Sequence, residues 1–148
     1  MTIAAARLRR VGTIGVLQLL GASAGLLTAL YLSVTRLAGG LPVCLPGGGC
    51  ETVALSEYSS IFGMPVALLG AGFSAVLLGL IVAWLRLADR RPLYAAYALA
   101  LLGVLFVAYL TYLELFVIHA VCPWCVAYAI SVVITFAATA LAVRRLPG

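Results

Sequence analysis

Long apolar runs separated by short polar gaps make up this chain. The runs extend from about residue 11 to 34, 61 to 85, 93 to 113 and 122 to 143. Each is close to or above the roughly 20 residues a helix needs to cross a hydrocarbon core of about 30 Å. The pattern predicts an all-α integral membrane protein, a four-transmembrane-helix bundle forming one domain over residues 1–148. Ala22-Ser23-Ala24 has the small-x-small form of a signal-peptide cleavage site. The apolar run continues about ten residues past that point, which argues for a retained helix. Gly21 and Gly25, four apart, suit close helix contact or simple packing.

The gaps carry most of the polar chemistry. Residues 36–60 hold Pro42, Cys44, Pro46, three consecutive glycines, Cys50, Glu51 and Glu57. The mildly amphipathic stretch from Glu51 to Ser60 predicts a short half-helix lying along the membrane surface. A charged turn spans Arg86 to Pro92, and Glu114 to Val121 reads as a short connection containing the single histidine, His119. Glu51, Glu57 and Glu114 are expected to be solvated, His119 to sit at the interface, and Trp84 to anchor the end of the second span there.

Composition sharpens the class. Hydrophobic residues make up 66% of the chain and charged residues 9%, more apolar surface than a water-soluble domain of 148 residues can bury. A net charge of +5 invites a nucleic-acid reading, but the positions of the arginines supply another cause. Eight of the nine basic residues fall at the termini or in the turn between the second and third runs; Arg36 is the exception. Excess positive charge marks the cytoplasmic side, so both termini are expected in the cytoplasm of a multi-pass plasma-membrane protein. Both cysteine-bearing segments then face the oxidising exterior, where disulfides persist.

Cys122-Pro123-Trp124-Cys125 opens the fourth run. Two residues between cysteines allow the sulfurs to close a small ring and to move between dithiol and disulfide. A cysteine at a helix start feels the partial positive charge there, which lowers its pKa, and Pro123 suits the first turn because its missing N–H is not needed. Cys44 and Cys50, in the glycine-rich loop, are the only other cysteines. Thiol exchange requires one sulfur to reach another, so a flexible pair serving a fixed pair suggests a relay. Electrons would arrive one turn into a membrane span, where a lipid-soluble quinone is the natural acceptor. No dinucleotide fingerprint is present, and Val126 after Cys125 rules out a C-x-x-C-H haem attachment. Four thiolates could instead hold zinc, or the cysteines could be structural bridges or buried small hydrophobes.

The constellation resembles the vitamin K epoxide reductase family, specifically its bacterial single-domain members. The resemblance is carried by Cys44 and Cys50 with five residues between them, Ser56 six residues later, Ile61-Phe62-Gly63, and Cys122-Pro123-Trp124-Cys125. It implies that Cys44 meets a thiol partner, Cys50 passes electrons to Cys122, and Cys125 faces a quinone of the menaquinone, ubiquinone or vitamin K type. It also implies a quinone pocket formed with Ser56, Ser59, Phe62 and Tyr128. Ser59 stands where animal members carry Asn, and Tyr128 falls three residues after the last cysteine rather than four. The expected activity is a thiol:quinone oxidoreductase that reoxidises an extracytoplasmic thioredoxin-fold protein. The alternatives are vitamin K quinone or epoxide reduction as the main activity, and a non-catalytic metal-binding or structural membrane protein. The chain reaches Gly148 without a thioredoxin-like domain, so the partner is expected to be a separate protein.

Overall fold

A computed structural model describes residues 2–40, 52, 60–87 and 89–145, with side chains from residue 12 onward. Cys44, Cys50, Ser56 and Ser59, and all of the stretch expected to form a surface half-helix except Thr52 and Ser60, lie outside the described residues. Four long helices carry the fold: α1 (Thr2–Leu37), α2 (Val66–Arg86), α3 (Arg91–Tyr112) and α4 (Pro123–Arg145). A two-residue antiparallel hairpin, β1 (Ser60–Ile61) and β2 (Met64–Pro65), precedes α2. A π-helical turn, Leu113–Ile118, continues α3. The segments Gly12–Leu37, Val66–Arg86, Arg91–Ile118 and Pro123–Arg145 are each long and apolar enough to cross a membrane.

The helices form a ring in which α1 packs chiefly against α4 and α2, and α3 against the same two. Lipid tails are as apolar as leucine, so helices in a bilayer are held together by close packing and interhelical hydrogen bonds rather than by exclusion of water. Both devices are present. Gly21 lets α1 approach so closely that an added Cβ would strike the Thr135 side chain; at Gly25 it would lie 2.9 Å from Ser131 Oγ. Gly103 on α3 is covered in the same way by the Phe73 ring of α2. Gln18 Nε2 donates to Thr139 Oγ1 at 3.0 Å across the α1–α4 seam, and both residues are fully buried. Thr135 and Thr139 return their own hydroxyls to carbonyls one turn back, at 2.8 and 2.7 Å, which satisfies these donors within α4. Ala22, from the small-x-small triplet, belongs to the central core with Leu77, Ile81, Ala96 and Ala100. The first run is thus an integral member of the bundle.

Two boundaries and one side-chain placement differ from the expectations. Ile61-Phe62-Gly63 does not open the second span. Phe62 and Gly63 adopt positive φ, 53° and 81°, and turn the chain through the hairpin before Pro65 leads into α2. Glu114 to Ile118 is not a free connection, because the third helix widens into the π-helical turn instead of ending. Trp84 is not an interface anchor. It is 6% exposed and packs with Ile14, Leu93, Ala138 and Ala142, whose small or branched side chains leave room for the indole.

Candidate active site

The start of α4 places the helix-borne thiols. The Cys122 carbonyl accepts the first helical bond from the Val126 N–H at 3.1 Å, and Pro123 is the first helical residue, as its locked φ and missing N–H favour. Cys122 is buried, Cys125 is partly buried one turn further on, and both are free thiols. Each thiol is within hydrogen-bonding reach of the other. Cys122 lies just ahead of the membrane-spanning part of α4. Its pKa is lowered from 9.0 to about 7, foremost by the hydrogen bond from the Cys125 thiol and further by the Cys125 and Trp124 backbone amides, against the opposing effect of burial. The Trp124 ring lies over Tyr31 of α1, with centroids 4.7 Å apart, which ties the first turn of α4 to its neighbour.

Both sulfurs border a cavity of about 580 Å³ lined by residues of all four helices. Leu32, Phe73, Leu99 and Phe106 supply apolar walls, while Arg36, Glu114 and Tyr128 contribute polar groups. A mostly apolar chamber with a few convergent polar groups suits a flat, greasy organic molecule, and the volume is within the range of about 300–1,000 Å³ typical of such sites. Residues with this lining fit a quinone ring. Tyr128 Oη donates to the Gly70 carbonyl at 3.0 Å and lies 3.1 Å from Ser74 Oγ. The phenol therefore fastens α4 to α2 along one wall. Gly70 permits this close approach; an added Cβ would lie 3.3 Å from the phenol oxygen, a tight contact.

The structure thus brings Cys122, Cys125 and Tyr128 to one chamber. Phe62 is not brought there. Its side chain is fully exposed at the hairpin tip, and it is not among the cavity-lining residues, because the positive φ of the turn directs the chain outward before α2 begins. His119 is exposed, with a left-handed backbone that closes the π-helical turn.

Glu114, like Trp84 and Phe62, sits differently from what the sequence suggests. It is 5% exposed rather than solvated. Its carboxyl group is within hydrogen-bonding reach of the Cys125 thiol and of the Cys122 backbone amide, and it lines the same cavity. The backbone holds it firmly: the Glu114 carbonyl accepts from the N–H groups of His119 and Ala120, the latter at 3.0 Å. A signal was present in the sequence. Glu114 is the single acidic residue within the four candidate spans, set in the apolar stretch just before the C-x-x-C.

Four membrane-length helices around a dithiol that opens on an apolar chamber define a class of membrane-embedded redox protein. Comparison with known proteins gives the class its family. The sequence profile of the Vitamin K epoxide reductase family matches residues 16–140, and the chain belongs to that family. No curated protein matches it. Membership makes the protein a multi-pass membrane oxidoreductase of the kind that couples thiols to quinones, and the observed bundle agrees with the family's helical architecture.

Proposed function

We propose that this protein is a thiol:quinone oxidoreductase that reoxidises an extracytoplasmic thioredoxin-fold dithiol protein. The observation that carries the reading is the placement of Cys122 and Cys125 together on the wall of the 580 Å³ cavity. A bound quinone would accept two electrons and two protons there. Cys125, one turn into α4, is the thiol set to meet it, and Cys122, buried just ahead of it and with its lowered pKa, is the sulfur set to exchange with an incoming loop thiol. Cys44 and Cys50 take the shuttle role, Cys44 meeting the partner and Cys50 reaching Cys122. Tyr128 and the apolar walls hold the ring, with Ser56 and Ser59 adding polar contacts from the preceding loop. The charge asymmetry supports placing both termini in the cytoplasm and the cysteines outside.

The test is quinone reduction followed optically in detergent, with a reduced thioredoxin-fold oxidase as electron donor. Cys44→Ala and Cys50→Ala should lose turnover with the protein donor yet keep it with a small membrane-permeable dithiol. Cys125→Ala should lose both, by about 1,000-fold or more, as expected when the reacting member of a unit is removed. Full quinone-dependent activity in Cys125→Ala would remove that residue from the proposed path.

A further inference from the structure

On the thiol:quinone reading above, we propose that Glu114 is a catalytic proton carrier for Cys125. Three observations converge. The carboxyl group reaches the Cys125 thiol, it is almost wholly buried, and it borders the chamber that both thiols border. A buried carboxyl group within reach of a thiol has one thing to exchange with it, a proton. The backbone amides of His119 and Ala120 and the widened turn fix the residue against the start of α4, so its reach toward the sulfur does not depend on a flexible connection. Among the described residues, the other ionisable groups on the cavity wall besides the Cys125 thiol itself are Cys122 and Tyr128 of α4 and Arg36 of α1. Tyr128 is engaged by Gly70 and Ser74, and Cys122 by its hydrogen bond with the Cys125 thiol.

The proton is required in both halves of the cycle. When a loop thiolate attacks Cys122 Sγ of the helix disulfide, a new S–S bond forms, the Cys122–Cys125 bond breaks, and Cys125 leaves as a thiolate. Glu114 gives that sulfur its proton. The second loop thiol then closes the loop disulfide and releases Cys122 as a thiolate. In the opposite half, the Cys122–Cys125 bond re-forms and two electrons pass to the quinone. The Cys125 proton goes to Glu114 and from there to one quinone oxygen. Cys122 enters this half already as the thiolate, and the second quinone oxygen and Glu114 each take one proton from water, replacing the two that the loop thiols released. Two thiols and one quinone become one disulfide and one hydroquinone, with no net proton gained or lost.

The deciding experiment needs no quinone. Purified protein with its helix disulfide formed is reduced by a soluble dithiol, and the appearance of the Cys125 thiol is followed by alkylation and peptide mass analysis. Glu114→Gln keeps the shape and the hydrogen-bonding capacity but cannot carry the proton. It should slow Cys125 release about 100-fold, in line with the loss of a positioned general acid. Glu114→Asp should recover a substantial part of the rate. Quinone turnover should fall in parallel in Glu114→Gln, while the rise in melting temperature on adding quinone is retained. Release of Cys125 at the wild-type rate in Glu114→Gln, or equal losses in Glu114→Gln and Glu114→Asp, overturns the assignment. If the wild-type protein reduces no quinone with any dithiol, the thiol:quinone reading fails, and the quinone-free measurement still decides the role of Glu114.

Discussion

The two ends of the bundle are built from the same four helices and do opposite things. At one end Ile14, Trp84, Leu93, Ala138 and Ala142 close the interface. At the other Gly70, Phe73, Glu114, Cys122 and Tyr128 surround an open chamber. Alanines let backbones close around a single indole at the first end. At the second, Phe73 lies against Gly103 and Tyr128 is fastened to Gly70, so that bulky rings become walls rather than filler. Because apolar burial alone gives helices little reason to prefer one another over lipid, a cavity persists where specific contacts brace it. Rigidity and reactivity are thus assigned to separate ends of one scaffold.

Substitutions at the two ends should separate stability from chemistry. The largest effect is expected from Trp84→Ala, which empties the packed end. It should cost about 3 kcal/mol in a denaturation measurement, the low end for truncating a buried aromatic side chain. Activity per folded molecule should stay near wild type; a specific loss of turnover would show that the ends are coupled. The next concerns pH at the open end. A thiol with its pKa lowered to about 7 is mostly thiolate above that pH, whereas an ordinary one remains protonated until about pH 9. Alkylation of Cys122 in the reduced protein should therefore rise about tenfold between about pH 6 and about pH 8 and then level off. A midpoint near that of a free thiol would show that the Cys125 hydrogen bond does not act as described. The smallest effect is expected from Tyr128→Phe, which removes the bonds to Gly70 and Ser74 but keeps the ring. It should cost about 1 kcal/mol of stability and raise the KM for quinone several-fold, with little change in kcat. A large fall in kcat would instead assign the phenol a part in the chemistry.

How legible these features were depended on their physical origin. The four spans could be read because membrane helices must be almost uniformly apolar, and the start of α4 could be read because Pro123 marks a first turn. The Gly21–Gly25 spacing allowed for the close α1–α4 approach, but it could not name Thr135 and Ser131 as the groups approached. Trp84 was misassigned because an indole serves equally well at an interface or in a core, and only its neighbours decide which. The hairpin at Phe62–Gly63 was hidden because a non-glycine residue with positive φ is chosen by its surroundings. Glu114 was hidden for a similar reason. Whether a carboxylate at the edge of an apolar run meets water or protein depends on where the helix ends, and this one ends a turn later than its hydropathy suggests. Cys44, Cys50, Ser56 and Ser59 remain assignments from sequence, since they lie outside the described residues.

The widened turn at Leu113–Ile118 also limits which length changes the chain can accept. Each residue of a regular helix advances its neighbours by about 100° around the axis, so removing one between Leu115 and Ile118 would tighten the winding and pull the acid and the sulfur out of alignment. Insertions and deletions should accordingly be better tolerated on the far side of the molecule, in the short polar bend between α2 and α3, than in this stretch, where spacing is itself part of the machinery.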